Sequence, residues 1–492
     1  MEALPVEIAY RILDYVEPSD LRRAALVSNR LRIVATTHEN FFLPFVLYIK
    51  AKDLYRDMTA SLEVLDHAKR FQLPISITFG VHHVTGLSIT ADGLGIGGRQ
   101  ISRTLSESLH RVVELYLSAP SQLLAALMAS LQLPAPSLRH LHLYNYDRTD
   151  LNAPFMVPPS MFMGDAPRLT KAYFHNVTAG ETPVPAFKRI RLLELGFLSN
   201  APAMNIAQSF PTAQCISMSY NRSASRYSGI GFQADLRGLS ALSHCEIDTG
   251  DWPLPESLFD LLDLSTLPVF TWICDEEMSL YERTKWPHIW AGVTGPVVLH
   301  VGMIVESSSE PSLVVTSVRG LGMPSCQRNV RYLFLYRNWA PLLRASLFFA
   351  LRIVDMRLDC AFIGLLLKLE EQRISMPVLE RLHIDVSEWA WDLSATHQPV
   401  IRCDSLRDVL LVCERPRPPV PTSDCLLLGY QLGQADRLLQ ARPKLRSFGV
   451  LFNEDIERAS LSEVFLSVEI NAGTTGWRPG TLDLSDKWKV DD

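Results

Sequence analysis

The residues with the most chemical promise by type and spacing are glycines. Gly93, Gly95 and Gly98 stand in a G-x-G-x-x-G pattern, after an apolar run from Val84 to Thr90 and before a helical pattern from Ile101 to Val113. In a dinucleotide site such glycines let the backbone approach a pyrophosphate at the helix N-terminus, and a later acid, here near Glu114, takes the ribose. Here Ala91-Asp92 separates the run from the glycines and no doubly wound order follows. The glycines are therefore read as a loop between repeating units.

Other polar groups lead nowhere catalytic. His82 and His83 are adjacent, so on a strand they point to opposite faces and make a poor chelate. Asp275-Glu276-Glu277 and Glu370-Glu371 read as solvated faces. The eight cysteines, from Cys215 to Cys425, lack the short recurrent spacings of a disulfide scaffold or a zinc site and read as small buried hydrophobes. Neither a G-x-S-x-G elbow, an H-E-x-x-H helix nor a P-loop occurs. The expectation is a chain that is not an enzyme, with no catalytic residue, no metal and no cofactor, built to display a surface.

Charge and composition set further expectations. With 47% hydrophobic and 20% charged residues the chain can bury a core, and a net charge of −6 with scattered basic residues predicts neither nucleic-acid nor membrane binding. The apolar windows Leu123 to Leu133 and Trp339 to Val354 are too short, or are broken by Arg344 and Arg352, to span a bilayer. The start, Met1-Glu2-Ala3-Leu4-Pro5, lacks the basic and apolar regions of a secretory signal. A cytoplasmic or nuclear location, or both, is expected.

A chain of 492 residues outgrows one core, which predicts a small module and a large or repetitive body. Pro5 suits a first helical turn, and Leu4, Ile8, Ile12, Leu13 and Val16 then recur at helical spacing. Pro18 ends this helix, since the residue before a proline avoids the helical conformation, and Ser19 or Asp20 can cap a second helix with Leu21, Ala24, Ala25 and Leu26. After Ser28-Asn29 a third carries Leu31, Val34 and Ala35. Three short helices make a thin core, so some apolar side chains are expected to finish their burial against something else.

This stretch resembles the F-box. The family's opening Leu-Pro is Leu4-Pro5, its next apolar positions are Ile8, Ile12 and Leu13, its Asp-Leu step is Asp20-Leu21, and its Leu-Val is Leu26-Val27, without a gap. Many members carry Cys where this chain has Ser28, and a Trp in a basic cluster where it has Asn29-Arg30-Leu31-Arg32. The resemblance implies that Leu4, Pro5, Ile8, Ile12, Leu13, Leu21, Leu26 and Val27 bind a Skp-family adaptor and, through it, a cullin-based ubiquitin ligase.

Beyond residue 43 another helical pattern, through Leu54, Met58, Leu62 and Leu65, predicts a connecting helix up to Pro74. The form apolar-x-x-apolar-x-apolar then recurs, at Val84, Val112, Leu138, Ile190, Val330, Ile353, Leu379, Leu406 and Leu445, with weaker cases at Leu169, Ala213, Leu242, Leu267 and Leu461. The steps from Val84 to Val112 to Leu138, and from Val330 to Ile353 to Leu379 to Leu406, are 23 to 28 residues, close to the period of leucine-rich repeats. Asn221, Asn338 and Asn453 fall where that family's asparagine bonds turn backbone. Within each strand the last two apolar positions point inward, and the residue between them, such as Tyr116, His142, Glu194, Phe334, Arg357 or His383, points out. Ser121 to Leu131, Ala340 to Leu351 and Phe362 to Gln372 suit return helices, and 285 to 330 is the poorest unit.

The predicted fold class is α/β (α+β). A helical F-box at 1–45 is followed by a connecting helical segment at 46–74, an irregular leucine-rich-repeat solenoid at 75–470 and a tail at 471–492. This pairing resembles substrate receptors of SCF-type ubiquitin ligases, which hold an adaptor at one end and an unknown target protein at the other. The competing expectation is a leucine-rich interaction scaffold outside any ligase.

Overall fold

The computed structural model describes residues 5–38 save 14 and 17, 45–49, 74–81, 95–146, 154–197 save 181, 204–220, 234–249 save 237, 262–274, 286–304, 313–321 and 326–333. It further describes 347–359, 374–386, 401–413, 420–434 save 421, 437–450 save 449, and 461–470. The chain divides into two units, residues 1–242 with 260–262 and residues 243–259 with 263–492. Both are dominated by β-structure.

The first unit opens with α1 (Val6–Leu13), α2 (Pro18–Ala24) and α3 (Asn29–Thr37). Its sheet holds β1 (Phe45–Ile49), β2 (Ile75–Val81), β3 (Val112–Ala119), β4 (His140–Asn145), β6 (Lys171–His175), β8 (Leu192–Phe197) and β10 (Cys215–Tyr220), all parallel and adjacent in chain order. Two-residue strands run between them as separate parallel pairs: β5 (Phe155–Met156) with β7 (Val177–Thr178), and β9 (Met204–Asn205) with β11 (Ala234–Asp235). Parallel neighbours need a crossover connection. One crossover carries the helix Gly95–Ser108 and the next the helix Ser121–Ser130, and Ser106 Oγ donates to Ser130 O at 3.1 Å.

Alternation dictates the core. Leu115, Leu141, Ala172, Leu193 and Ile216 are register partners in one buried row, and Leu117, Leu143, Phe174, Leu195 and Met218 form the next. Behind them Phe174, Phe187 and Phe210 pack with ring centroids 5.3 to 6.0 Å apart. The same turn precedes strand after strand. The amides of Leu138, Leu169, Ile190 and Ala213 donate to the carbonyls three residues back, on the buried Ala135, Ala166, Phe187 and Phe210.

The second unit repeats this scheme with one departure. Its strands are β12 (His244–Asp248), β13 (Val269–Cys274), β14 (Val297–Ile304), β15 (Leu313–Gly320), β16 (Cys326–Leu333), β17 (Ile353–Asp359), β19 (Arg381–Asp385), β21 (Asp408–Val412), β22 (Lys444–Phe448) and β23 (Ser467–Ile470), with β18 (Ile374–Ser375) paired to β20 (Ile401–Arg402) apart from them. From β17 onward the order is sequential and parallel, and the turns Met376–Leu379 and Cys403–Leu406 match those of the first unit. Between β13 and β17 the chain inserts an antiparallel meander, giving the order β13-β16-β15-β14-β17. The strand at Val330 and the strand at Ile353 are thus not neighbours, and the 23-residue step between them is not a repeat step. This accounts for the poor unit at 285 to 330: its residues pair as a hairpin, whose antiparallel partners need no crossover.

The meander is anchored by Arg328, which is fully buried and, among the described residues, has no carboxylate within ion-pair distance. Its guanidinium donates to the carbonyls of Ala291 (2.8 Å), Pro268 (3.4 Å), Gln327 (2.9 Å) and Leu264. Gly292 beside it has φ +80, and a Cβ there would meet the Ser265 carbonyl oxygen at 2.5 Å, so only glycine fits.

Three further expectations change. Phe45–Ile49 is a strand paired to Ile75–Val81, so the sheet begins before residue 75 and inside the segment expected as a connecting helix. Gly95, Gly97 and Gly98 lie within a helix, so they form no loop between repeats and no phosphate cradle. The return helix expected over Ala340 to Leu351 is a 3-10 turn, Leu347–Arg352, where it is described. Val84 to Thr90, His82-His83, Phe362 to Gln372, the acidic runs, Asn221, Asn338, Asn453, Phe334 and the tail lie outside the described residues.

Candidate functional site

The N-terminal module is built on two apolar stripes along α1 and the turn that follows it, one residue out of step. Ala9, Leu13 and Val16 turn inward, where Ala9 and Leu13 join Leu21, Ala25, Val34 and Ala35 in one cluster with Tyr10 and Val16 against it. Ile8, Ile12 and Tyr15, each one residue earlier, are exposed. A spacing of four and then three keeps each trio on one helical face. The helix starts where Pro5 predicts: its carbonyl accepts from the Ile8 and Ala9 amides at 3.1 and 3.0 Å.

Ser28 supplies the cap of α3, its hydroxyl accepting from the Leu31 amide at 3.2 Å. The residue that departs from the F-box pattern thus has a local task of its own. Arg32 Nε reaches back to the Ala25 carbonyl at 3.1 Å, and Tyr10 closes on His38 with ring centroids 4.4 Å apart.

The adaptor-binding expectation divides on burial. Leu13 and Leu21 are 1% and 0% exposed, so they hold the helices together and cannot touch a partner as expected. Ile8, Ile12, Leu26 and Val27 are 46%, 36%, 78% and 73% exposed, and Pro5 is exposed beside them in the chain. Leu4 lies outside the described residues. Val6, Tyr15 and Ile33 are also exposed and were not expected as contacts. The signal for Tyr15 was in the sequence, in the 8/12/15 stripe beside the 9/13/16 stripe. Seven large apolar side chains, Val6, Ile8, Ile12, Tyr15, Leu26, Val27 and Ile33, are thus exposed on this small module.

The outward sheet faces differ between the units. In the first, Tyr116, His142, Tyr173 and Glu194 are register partners across four strands, and the rings follow one another at 5.7 and 5.8 Å. A second row stacks Tyr144 on His175 at 4.2 Å and 5°. Glu114 accepts from Ser76 at 3.2 Å and lies 2.8 Å from His140 Nδ1, and the hydrogen bond with His140 lowers its pKa. Burial, with the charge of His140, lowers the pKa of His142, and burial alone takes His175 down to about 4.

In the second unit the corresponding face is ionic. Asp355 is buried, with Arg381 Nη2 at 3.2 Å, His383 Nε2 at 3.6 Å and Arg357 Nε at 3.8 Å. Arg446 reaches Glu469 at 3.3 Å and Asp408 at 3.7 Å. Asn145 was missed as a turn asparagine: it is buried and its amide donates to the Asn176 carbonyl at 3.4 Å. The seven described cysteines are buried free thiols. Among the described residues no group of His, Cys, Asp and Glu is placed to hold a metal ion, and no helix is long and apolar enough to cross a membrane.

An F-box-like family model matches residues 1–41, the three helices and the exposed apolar set just described. No curated protein matches the chain. The match makes the N-terminal segment an F-box-like domain, a type of protein-interaction module that generally binds Skp-family adaptors.

Proposed function

We propose that this chain is the substrate-recognition subunit of an SCF-type ubiquitin ligase. The F-box-like domain holds a Skp-family adaptor through Pro5, Ile8, Ile12, Leu26 and Val27, and the body holds a target protein. The observation that carries this reading is the exposure of those side chains on a domain whose own core is closed by Leu13 and Leu21. We read the recurring turn and parallel strand of the body as an irregular leucine-rich-repeat array, supported by the sequential pairing on either side of the meander. In this role the chain is not itself an enzyme; it brings a target to the ligase, in the cytoplasm, the nucleus or both.

The test is co-purification of the full chain with a Skp-family adaptor, comparing wild type with Ile12→Ala, Leu26→Ala, Val27→Ala. Each removed side chain contributes about 1–2 kcal/mol when buried at an interface, so the triple change abolishes capture while the unfolding temperature stays put. Leu13→Ala also abolishes capture, but by loosening the domain itself. A well-folded wild type that captures no adaptor would leave the other reading, a leucine-rich scaffold outside the ligase.

A further inference from the structure

A cleft of about 430 Å³ opens in the second unit at the N-terminal ends of β21, β22 and β23. Arg407, Arg437, Arg442 and Lys444 line it, with Asp404 as the one acid. That acid is already engaged by Arg402 outside the cleft, whose Nε lies 3.1 and 3.0 Å from its two oxygens. In a chain of net charge −6, four cations in one concavity run against the overall field.

Backbone geometry places these cations. The Lys444 amide donates to the Arg407 carbonyl at 2.7 Å, so the two side chains leave from neighbouring strand starts. Arg437 is fixed by the turn that precedes β21: its Nη1 donates to Gln434 Oε1 at 2.7 Å and to the carbonyls of Leu406 and Cys403 at 3.2 and 3.4 Å. Arg442 donates to the carbonyls of Ser462 at 2.7 Å and Arg437 at 3.1 Å. Among the described residues Arg407, Arg437 and Lys444 have no carboxylate within ion-pair distance. The Arg437 guanidinium is thus held by neutral oxygens, which orient it without cancelling its charge. An incoming anion then loses little freedom of the protein's own side chains on binding.

From this we infer that the cleft is a binding site for a phosphate monoester dianion, held by Arg407, Arg437 and Lys444 with Arg442 at its side. Guanidinium forks fit the tetrahedral oxygens of phosphate, and a concavity of this size admits the group with the first atoms of whatever carries it. The carrier is a free phosphorylated small molecule or a phosphorylated side chain of another protein; the chemistry read by the cleft is the same. The inference is independent of the N-terminal domain, so its failure leaves the adaptor reading untouched.

The test is calorimetric titration of the full chain with inorganic phosphate, O-phosphoserine and a short peptide containing phosphoserine, for wild type and Arg407→Ala, Lys444→Ala. Wild type binds all three saturably, more weakly as salt rises. The double change weakens binding by about tenfold or more, the loss expected for two charge-assisted contacts. Its unfolding temperature is unchanged, because among the described residues neither side chain has an ion partner to lose. Tighter binding of the peptide than of the free ester identifies a phosphorylated protein segment as the carrier, and equal binding identifies a small phosphorylated molecule; both support the site. Absence of saturable binding of any of the three to wild type, or equal affinity in the double variant, overturns it.

Discussion

The sheet faces of the two units share a strand plan and differ in what they turn outward. Inward, both carry aliphatic rows in register: Leu115, Leu141, Ala172 and Leu193 in one unit, and Met356, Leu382, Val409 and Leu445 in the other. Outward, the first stacks tyrosines on histidines and the second sets Asp355 among Arg357, Arg381 and His383. The inward rows are constrained because a strand buries every second side chain. The outward rows are free of that demand, and their chemistry can therefore follow a ligand or a charge network. Cross-strand stacks depend little on salt and ion pairs depend on it, so the two faces should answer differently to the same perturbation.

The largest expected difference comes from removing the buried anion. Asp355→Ala leaves three cationic or ionisable groups around a vacated site, and breaking a buried charge cluster in this way costs about 3 kcal/mol, held down because Arg381 is half exposed and can turn to water. Hydrogen exchange should quicken across β17 and β19 and stay unchanged across β4 and β6. Equal loosening in both places would show that the two units unfold together.

A smaller effect follows from acid. His175 in the first unit and His300 in the second both have folded pKa values near 4, well below the ordinary 6.5. The unfolded chain therefore takes up protons first, and stability is lost as pH falls from about 6.5 towards 4. At pH 5 each imidazole accounts for a loss of up to about 2 kcal/mol relative to neutral pH. His175→Phe keeps a ring over Tyr144 and should remove its share of the acid sensitivity, measured as urea unfolding at pH 7 and pH 5. An unchanged pH dependence would mean that His175 is open to water and protonates freely in the folded protein.

How much of this was legible in the sequence depends on how local the cause is. Alternation placed most strands, because Leu138-x-x-Leu141-x-Leu143 and its relatives encode a turn and an inward pair within six residues. The meander was not legible: Val298, Leu299 and Val301 have strand character, but their pairing with β15 and β17 is a choice of neighbours that periodicity does not contain. The glycines misled because a helix from Gly95 to Ser108 draws on its later turns for stability, and propensity at its first residues is overridden. In the F-box-like domain the motif named the right segment but merged two tasks. Leu13 and Leu21 belong to the core, and Ile8 and Ile12 to the surface, a division set by one-residue offsets on a helix. The basic cleft was invisible, since Arg407, Arg437 and Lys444 meet only after the long crossover from β21 to β22.

The smallest expected effect separates the two histidines themselves. Burial alone holds down the pKa of His175, whereas at His300 burial is joined by the Arg357 charge, with Asp385 opposing it more weakly. Salt screens the second kind of cause and leaves the first alone. Raising ionic strength from about 0.05 to about 0.5 M shortens the Debye length roughly threefold, and the partly buried pair of His300 and Arg357 feels a fraction of that change. An NMR titration of the imidazoles should then show the His300 midpoint moving up by about 0.2 to 0.5 units while that of His175 stays fixed. Two midpoints moving together would mean that both faces answer to the net field of the chain and that their local partners do not set the difference. A shift at His300 alone ties its titration to the neighbouring Arg357 charge, and His175 then answers to burial alone.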